Sequence, residues 1–255
     1  MKLNIIVSSW PSSGGTTIAL IWAKLLNIRY LYAGGVIKEW SARMGMDPTT
    51  DAFHTFEEKY GEVWDNLWEE YIQVKFKAET GLLCEGKTAG FLLPPHNAFE
   101  VMVIADQETR SKRAGNDQRT EIIAERDHYL KERWLRLFKV DIFSLTQIEA
   151  NYDLVLDNSN LNIADSLNSI WLNLKIWASN NKLDIEKYNI STADFIHIET
   201  QFWTDQKSGI SGKDRLKNSL QQSGLYISAE EVFTEWKSNY SELLKNIPQE
   251  LLKVI

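Results

Sequence analysis

Five short apolar runs recur along the first two thirds of the chain: Leu3–Val7, Tyr30–Tyr32, Gly81–Cys84, Glu100–Ala105 and Tyr152–Leu156. Most lack polar alternation, the pattern of strands buried on both faces of a parallel sheet. Between them lie stretches with helical spacing: Thr16–Leu26, Gly35–Arg43, Phe53–Lys77 and Glu121–Phe138. Strands that alternate with helices predict right-handed crossovers and a doubly wound α/β fold, here a five-stranded parallel sheet flanked by helices. The turn and cap cluster Asp157–Asn162 precedes an amphipathic helix, Ile163–Trp177. Ser179-Asn180-Asn181-Lys182 then breaks the pattern, which places a boundary near 178. The reading is a domain over 1–177 and a helical C-terminal extension over 178–255. Within the extension Ala229–Lys245 is the best helix, and Phe195–Ile198 is the one strand-like run.

The segment between the first strand and the first helix, Ser8-Ser9-Trp10-Pro11-Ser12-Ser13-Gly14-Gly15-Thr16-Thr17, is the most informative. A strand, a small-residue loop and a helix N-terminus gather backbone N–H groups into one concavity that favours an anion. The phosphate-binding signature G-x-x-x-x-G-K-[ST] is met at Gly14 and Thr16. It is broken at two places, where Ser9 stands for the first glycine and Gly15 for the lysine. Taken alone, the loop reads equally well as an ordinary strand-to-helix connection capped by Ser13 or Thr16. In a doubly wound sheet, ligands sit beyond the carboxyl ends of the strands, where this loop falls.

The net charge of −7 argues against general nucleic-acid binding, which needs a basic face. Cys84 is the single cysteine, which excludes an internal disulfide and fits a reducing compartment. No apolar run approaches the roughly 18 residues of a membrane span, and no signal-peptide pattern is present. These features predict a cytoplasmic protein with no membrane partner. The four histidines show no metal-ligand spacing, so no zinc site is expected. Arg126 and Arg133, seven apart, share one helix face and read either as a solvated charged stripe or as part of a site. Asp127 either orients an arginine or ligand or pairs with Lys131. Trp64 and Trp68, four apart, read as core before base-stacking platform.

Further motifs fall in a telling order: Tyr32-Ala33-Gly34-Gly35-Val36-Ile37-Lys38-Glu39, then Cys84-Glu85-Gly86-Lys87-Thr88-Ala89-Gly90, then Arg126-Asp127 with Arg133, then Phe138-Lys139-Val140-Asp141 and Tyr152-Asp153-Leu154-Val155-Leu156. Together with the loop they resemble the cytidylate kinase family, most closely its archaeal-type branch, over roughly residues 1–176. The resemblance implies a P-loop kinase fold and transfer of the γ-phosphoryl of ATP to CMP or dCMP with Mg²⁺. It implies nucleotides as the binding partners. It implies that Ser9, Trp10, Pro11, Ser12, Ser13, Gly14, Gly15, Thr16 and Thr17 hold the donor phosphates, with the Thr16 hydroxyl on Mg²⁺. Arg110, Arg113 and Arg119 become lid cations on the donor. Tyr32, Lys38, Gly86, Lys87 and Asp127 become the acceptor side, and Arg126 and Arg133 the catalytic arginines.

Four features depart from that family. Gly15 stands where the loop signature has lysine and where some members of the archaeal-type branch have threonine, and Lys38 and Lys87 replace arginines that would grip phosphate with a fork. Trp64, Trp68 and Glu69 occupy the acceptor-side helix, and the lid around Gly115-Asn116-Asp117 is short. Two alternatives therefore stand beside the kinase reading: a degenerate nucleotide-binding protein with little or no transfer, and a P-loop kinase for another small acceptor. If the cation alone is missing, Gly15→Lys restores activity. The extension has no counterpart in the family. Its apolar patterns predict docking on the core, with Trp64 and Trp68 as receivers, or on a second copy to form a homodimer.

Overall fold

The computed structural model describes residues 3–48, 51–87, 90–92, 98–114 and 119–255. In chain order the elements are β1 (Ile5–Ser9), α1 (Gly15–Leu26), β2 (Arg29–Tyr32), α2 (Ala33–Arg43), α3 (Asp51–Ala78), β3 (Leu82–Gly86), β4 (Phe99–Ile104), α4 (Gln107–Ala114), α5 (Arg119–Phe138), α6 (Leu145–Asn151) and β5 (Leu154–Asp157). The chain continues through α7 (Ile163–Asn180), α8 (Thr192–Lys207), α9 (Gly212–Gln222), β6 (Tyr226–Ile227), α10 (Ala229–Asn239) and α11 (Gln249–Leu252).

All strand pairs are parallel, in the order β5-β4-β1-β3-β2-β6. The sheet has six strands, not the expected five, because Tyr226 and Ile227 of the C-terminal stretch pair with Tyr30 and Leu31. Every residue of β4 is buried, as a strand covered on both faces requires. In the centre, Val7 lies opposite Glu85 and Ser8 opposite Gly86, so β1 and β3 end at one level. That register sets the Glu85 carboxylate beside the loop that leaves β1.

On one face, α1 and α7 pack with Trp22 stacked on Trp171, ring centroids 5.8 Å apart. Phe195 of α8 closes on Trp22 at 5.8 Å, and Leu220 of α9 joins the same core. On the other face, Trp40 of α2 meets Trp64 of α3 at 5.9 Å and Trp236 of α10 at 5.8 Å. Residues 178–255 thus dock on their own chain and fill both cores, and Trp64 is one receiver, 6.2 Å from Trp236.

Phe195–Ile198 is helical, not a strand. Asp194 accepts a hydrogen bond from the Ser191 amide at 2.8 Å and closes the first turn of α8, whose buried residues Phe195 and Phe202 lie seven apart on one helical face. The helix expected over Ala229–Lys245 ends at Asn239. Among the described residues no helix is long and apolar enough to cross a membrane.

Candidate active site

The loop from β1 to α1 is held from behind by its own side chains. Ser13 donates to the Trp10 and Val103 carbonyls, both at 2.8 Å, and the Trp10 indole donates to the Ile142 carbonyl at 3.0 Å. The Ser13 carbonyl accepts from Asn158 Nδ2 at 2.7 Å and from Arg113 at 3.1 Å. Gly14, at φ 100°, is the N-cap of α1 and provides no side-chain cap, and the first turn holds no acidic residue. The first amides of α1 have no partner within the helix. An uncapped N-terminus with its dipole directed at open space is suited to an anion.

That space is a cavity of about 780 Å³ lined by Ser9 to Ser12, Gly14 to Thr17, Tyr32, Lys38, Gly86 and Lys87, and by Arg113, Arg126 and Arg133. The structure therefore brings together most of the residues singled out above. Ser13 does not line the cavity, because its hydroxyl is consumed under the loop. Arg110 and Asp127 do not line it either, because they bind one another through two hydrogen bonds of 3.1 and 2.6 Å. The bond leaves Asp127 as the group that orients an arginine. Arg133 is 2% exposed, and its Nε lies 2.8 Å from Asp65 Oδ2. Arg126 is exposed and reaches the cavity wall. Thr88, Ala89 and Gly115 to Asp117 lie outside the described residues, as does the Arg119 side chain.

Of the carboxylates around this cavity, Glu57 and Asp65 were not named from the sequence, and Glu85 and Glu69 were named without a role. Thr16 Oγ1 donates to Glu85 Oε1 at 2.6 Å, and the Tyr30 hydroxyl donates to Oε2. Burial pushes Glu85 up to about 7, against those two hydrogen bonds and the charges of Lys213 and Lys38. Burial likewise pushes Asp65 up to about 6, against Arg133 and Lys87. Glu69 is driven well above the carboxylate range by burial and then by Asp65, and its Oε2 has no hydrogen-bond partner among the described residues. Burial opposes the Glu57 charge too, but Lys87, Arg126 and Arg133 outweigh it and hold that carboxyl low. Lys87 bonds to Glu57 at 3.3 Å. Trp64 and Trp68, stacked at 4.9 Å, are core residues that also form the cavity wall between these groups.

A parallel sheet, an uncapped glycine-flanked helix N-terminus at the exit of its central strand, and a cation-lined cavity define a P-loop fold of the phosphotransferase class. No family model matches the chain. Cytidylate kinase from Pyrobaculum neutrophilum is 31% identical over 169 residues, covering 64% of this chain and 88% of that one. Those of Archaeoglobus fulgidus and Methanocaldococcus jannaschii are 28% identical over 165 residues and 26% over 175, covering 61% and 65% of this chain and 86% and 94% of theirs. The chain belongs to the cytidylate kinase family. A solved shikimate kinase from Acinetobacter baumannii in complex with shikimate matches 72% of this chain and 97% of its own at 16% identity and a TM-score of 0.44, too distant to bear on function.

Proposed function

We propose that this chain transfers the γ-phosphoryl of ATP to a nucleoside monophosphate, with CMP or dCMP as acceptor. One observation carries the reading: the uncapped loop and the cations Lys38, Lys87, Arg126 and Arg133 line a single cavity. Phosphoryl transfer needs an acceptor held in line and fixed positive charge around the transferred group, and little covalent help. The loop amides seat the donor phosphates. Lys38 and Lys87, which line the same cavity, hold the acceptor phosphate, and exposed Arg126 stabilises charge on the transferred group. Glu57 and Asp65 set the positions of Lys87 and Arg133. Glu69, held neutral, offers one donor and one acceptor to the edge of the acceptor base.

The residues present fit a divalent cation. The Thr16 and Glu85 oxygens, 2.6 Å apart, are hard donors, and Mg²⁺ on a nucleotide takes one or two such ligands with phosphate and water completing its shell. Bound there, Mg²⁺ would neutralise charge on the β- and γ-phosphates. Thr16 and Glu85 would hold it, with Glu85 ionised.

The test is ADP release from ATP·Mg²⁺ in a coupled assay with CMP, dCMP, UMP, AMP and GMP. Turnover that depends on the acceptor and is fastest with CMP or dCMP is expected. Binding of ATP with no acceptor-dependent turnover would instead support the degenerate binding protein, the reading favoured by the absence of a side chain at Gly15.

A further inference from the structure

We propose that Lys213, in the first turn of α9, supplies to the phosphate loop the cation that position 15 lacks. The inference rests on the reading of that loop as the seat of the donor phosphates. The cavity that exposes Gly14, Gly15 and Thr16 is also lined by Lys213, Gln206 and Trp203, all from the C-terminal stretch. A cation there shares the cavity with the loop from an element outside α1, against which α9 packs.

The loop cannot carry the lysine itself. A Cβ on Gly15 would lie 2.3 Å from Ser9 Oγ and 2.4 Å from Ser9 Cβ. Two other basic groups near the loop are already engaged. Arg113 donates to the Ser13 carbonyl and to both the side chain and the carbonyl of Asn158. Arg110 is locked to Asp127. Lys213, in contrast, is exposed, and no ion pair holds it among the described residues.

The backbone that presents Lys213 is built to stay in place. Gly212 lies so close to the Phe202 ring that a Cβ would meet it at 2.5 Å, which brings the first turn of α9 down onto α8. Asp205, itself buried, accepts from Arg215 at 2.5 Å and from Gln201 at 2.9 Å, and its carbonyl accepts from the Ile210 amide at 2.9 Å. Ser211 caps α9 through the Asp214 amide at 3.3 Å. With the backbone held, only the side chain has to be ordered when Lys213 closes on a phosphate.

The experiment is calorimetry on the full chain with ATP·Mg²⁺ and with tripolyphosphate·Mg²⁺, alongside turnover with CMP. It compares wild type, Lys213→Met, Lys213→Arg and the exposed control Lys207→Met. Lys213→Met is expected to weaken both ligands by about tenfold or more, the scale of one charge-assisted hydrogen bond, with an unchanged melting temperature. Lys213→Arg is expected to recover most of the loss, and Lys207→Met to match wild type. Binding of both ligands by Lys213→Met within twofold of wild type would overturn the proposal. Lys213-dependent binding without phosphorylation of any nucleoside monophosphate would leave the proposal standing and remove the kinase reading. Turnover as fast in Lys213→Met as in wild type would do the reverse. Failure of wild type to bind either ligand at millimolar concentration would remove both.

Discussion

Gly15→Lys, which rebuilds the familiar loop cation, is expected to lower stability and to leave activity no higher. The reason is steric. The new Cβ would stand 2.3 Å from Ser9 Oγ and 2.4 Å from Ser9 Cβ. Rotation about the Ser9 χ1 bond relieves the first contact but not the second, because Cβ moves only with the backbone. That backbone is pinned: Ser9 pairs with Val103, and the next amide donates to the Val103 carbonyl at 3.2 Å. Reaching ordinary carbon contact requires a shift of roughly 1 Å in β1 or in the first turn of α1. Overpacking of this kind costs about 1–3 kcal/mol. For a chain of this size each kcal/mol lowers the melting temperature by about 2–4 °C. Gly15→Ala should show the same loss without the charge. Ser9→Gly deletes both offending atoms, so Ser9→Gly/Gly15→Lys should recover the melting temperature and exceed Gly15→Lys in turnover. Thermal melts and the coupled assay on the singles and doubles give the coupling, expected at about 1 kcal/mol or more. A Gly15→Ala protein that melts within 1 °C of wild type, or a double variant no better than the single, would refute the reasoning.

Three further outcomes are expected. Mg²⁺-dependent ATP binding should strengthen by up to about tenfold per pH unit as pH rises toward 7, then level off, because Glu85 must ionise and its carboxyl is pushed up to about 7; Mg²⁺-free binding should stay flat, and calorimetry across pH 5.5–8.5 with Thr16→Ala as control checks both. Arg126→Ala should lower kcat by about a hundredfold with the melting temperature unchanged, as loss of one preorganised donor does, whereas Arg133→Ala should first destabilise the fold, since it strands buried Asp65; an effect on kcat under threefold at Arg126 would remove its assignment. Truncation after residue 177 should yield aggregated protein by size-exclusion chromatography, because Phe195, Leu220, Phe233, Trp236 and Leu251 are each buried and each contributes about 1.5–3 kcal/mol; a soluble, equally stable core would contradict this.

The alternation of apolar runs and helical stretches made the sheet and its order of elements legible, since both faces of these strands are covered. The strand ends were less so. Ser8, Ser9, Glu85 and Gly86 are polar or flexible, yet they belong to strands because β1 pairs there in register with β3 and β4. The short helices α4 and α6 escaped notice because eight and seven residues hold too few apolar positions for a period to show. Two-residue β6 has no pattern of its own and exists only through β2.

The site divides along the same line. Features set by a strand end or by the helix that follows it, such as the loop and Lys87 or Lys38 of α2, were readable from motif order. Features that depend on partners were not: Arg110 and Asp127 carry suitable chemistry but cancel each other, and Glu85, Asp65 and Glu69 take their character from burial. Lys213 lies nearly 200 residues from the loop it faces. One signal did point that way. Ile18-Ala19-Leu20-Ile21-Trp22-Ala23 is apolar all round α1, and such a helix must be covered on every side. The sheet covers one side; α7, α8 and α9 cover the rest. On the proposal above, Ser9, Gly15 and the stretch 178–255 form one arrangement. Ser9 fills the space that a side chain at 15 would need, and the stretch that shields α1 would return the charge through Lys213, which lines the same cavity.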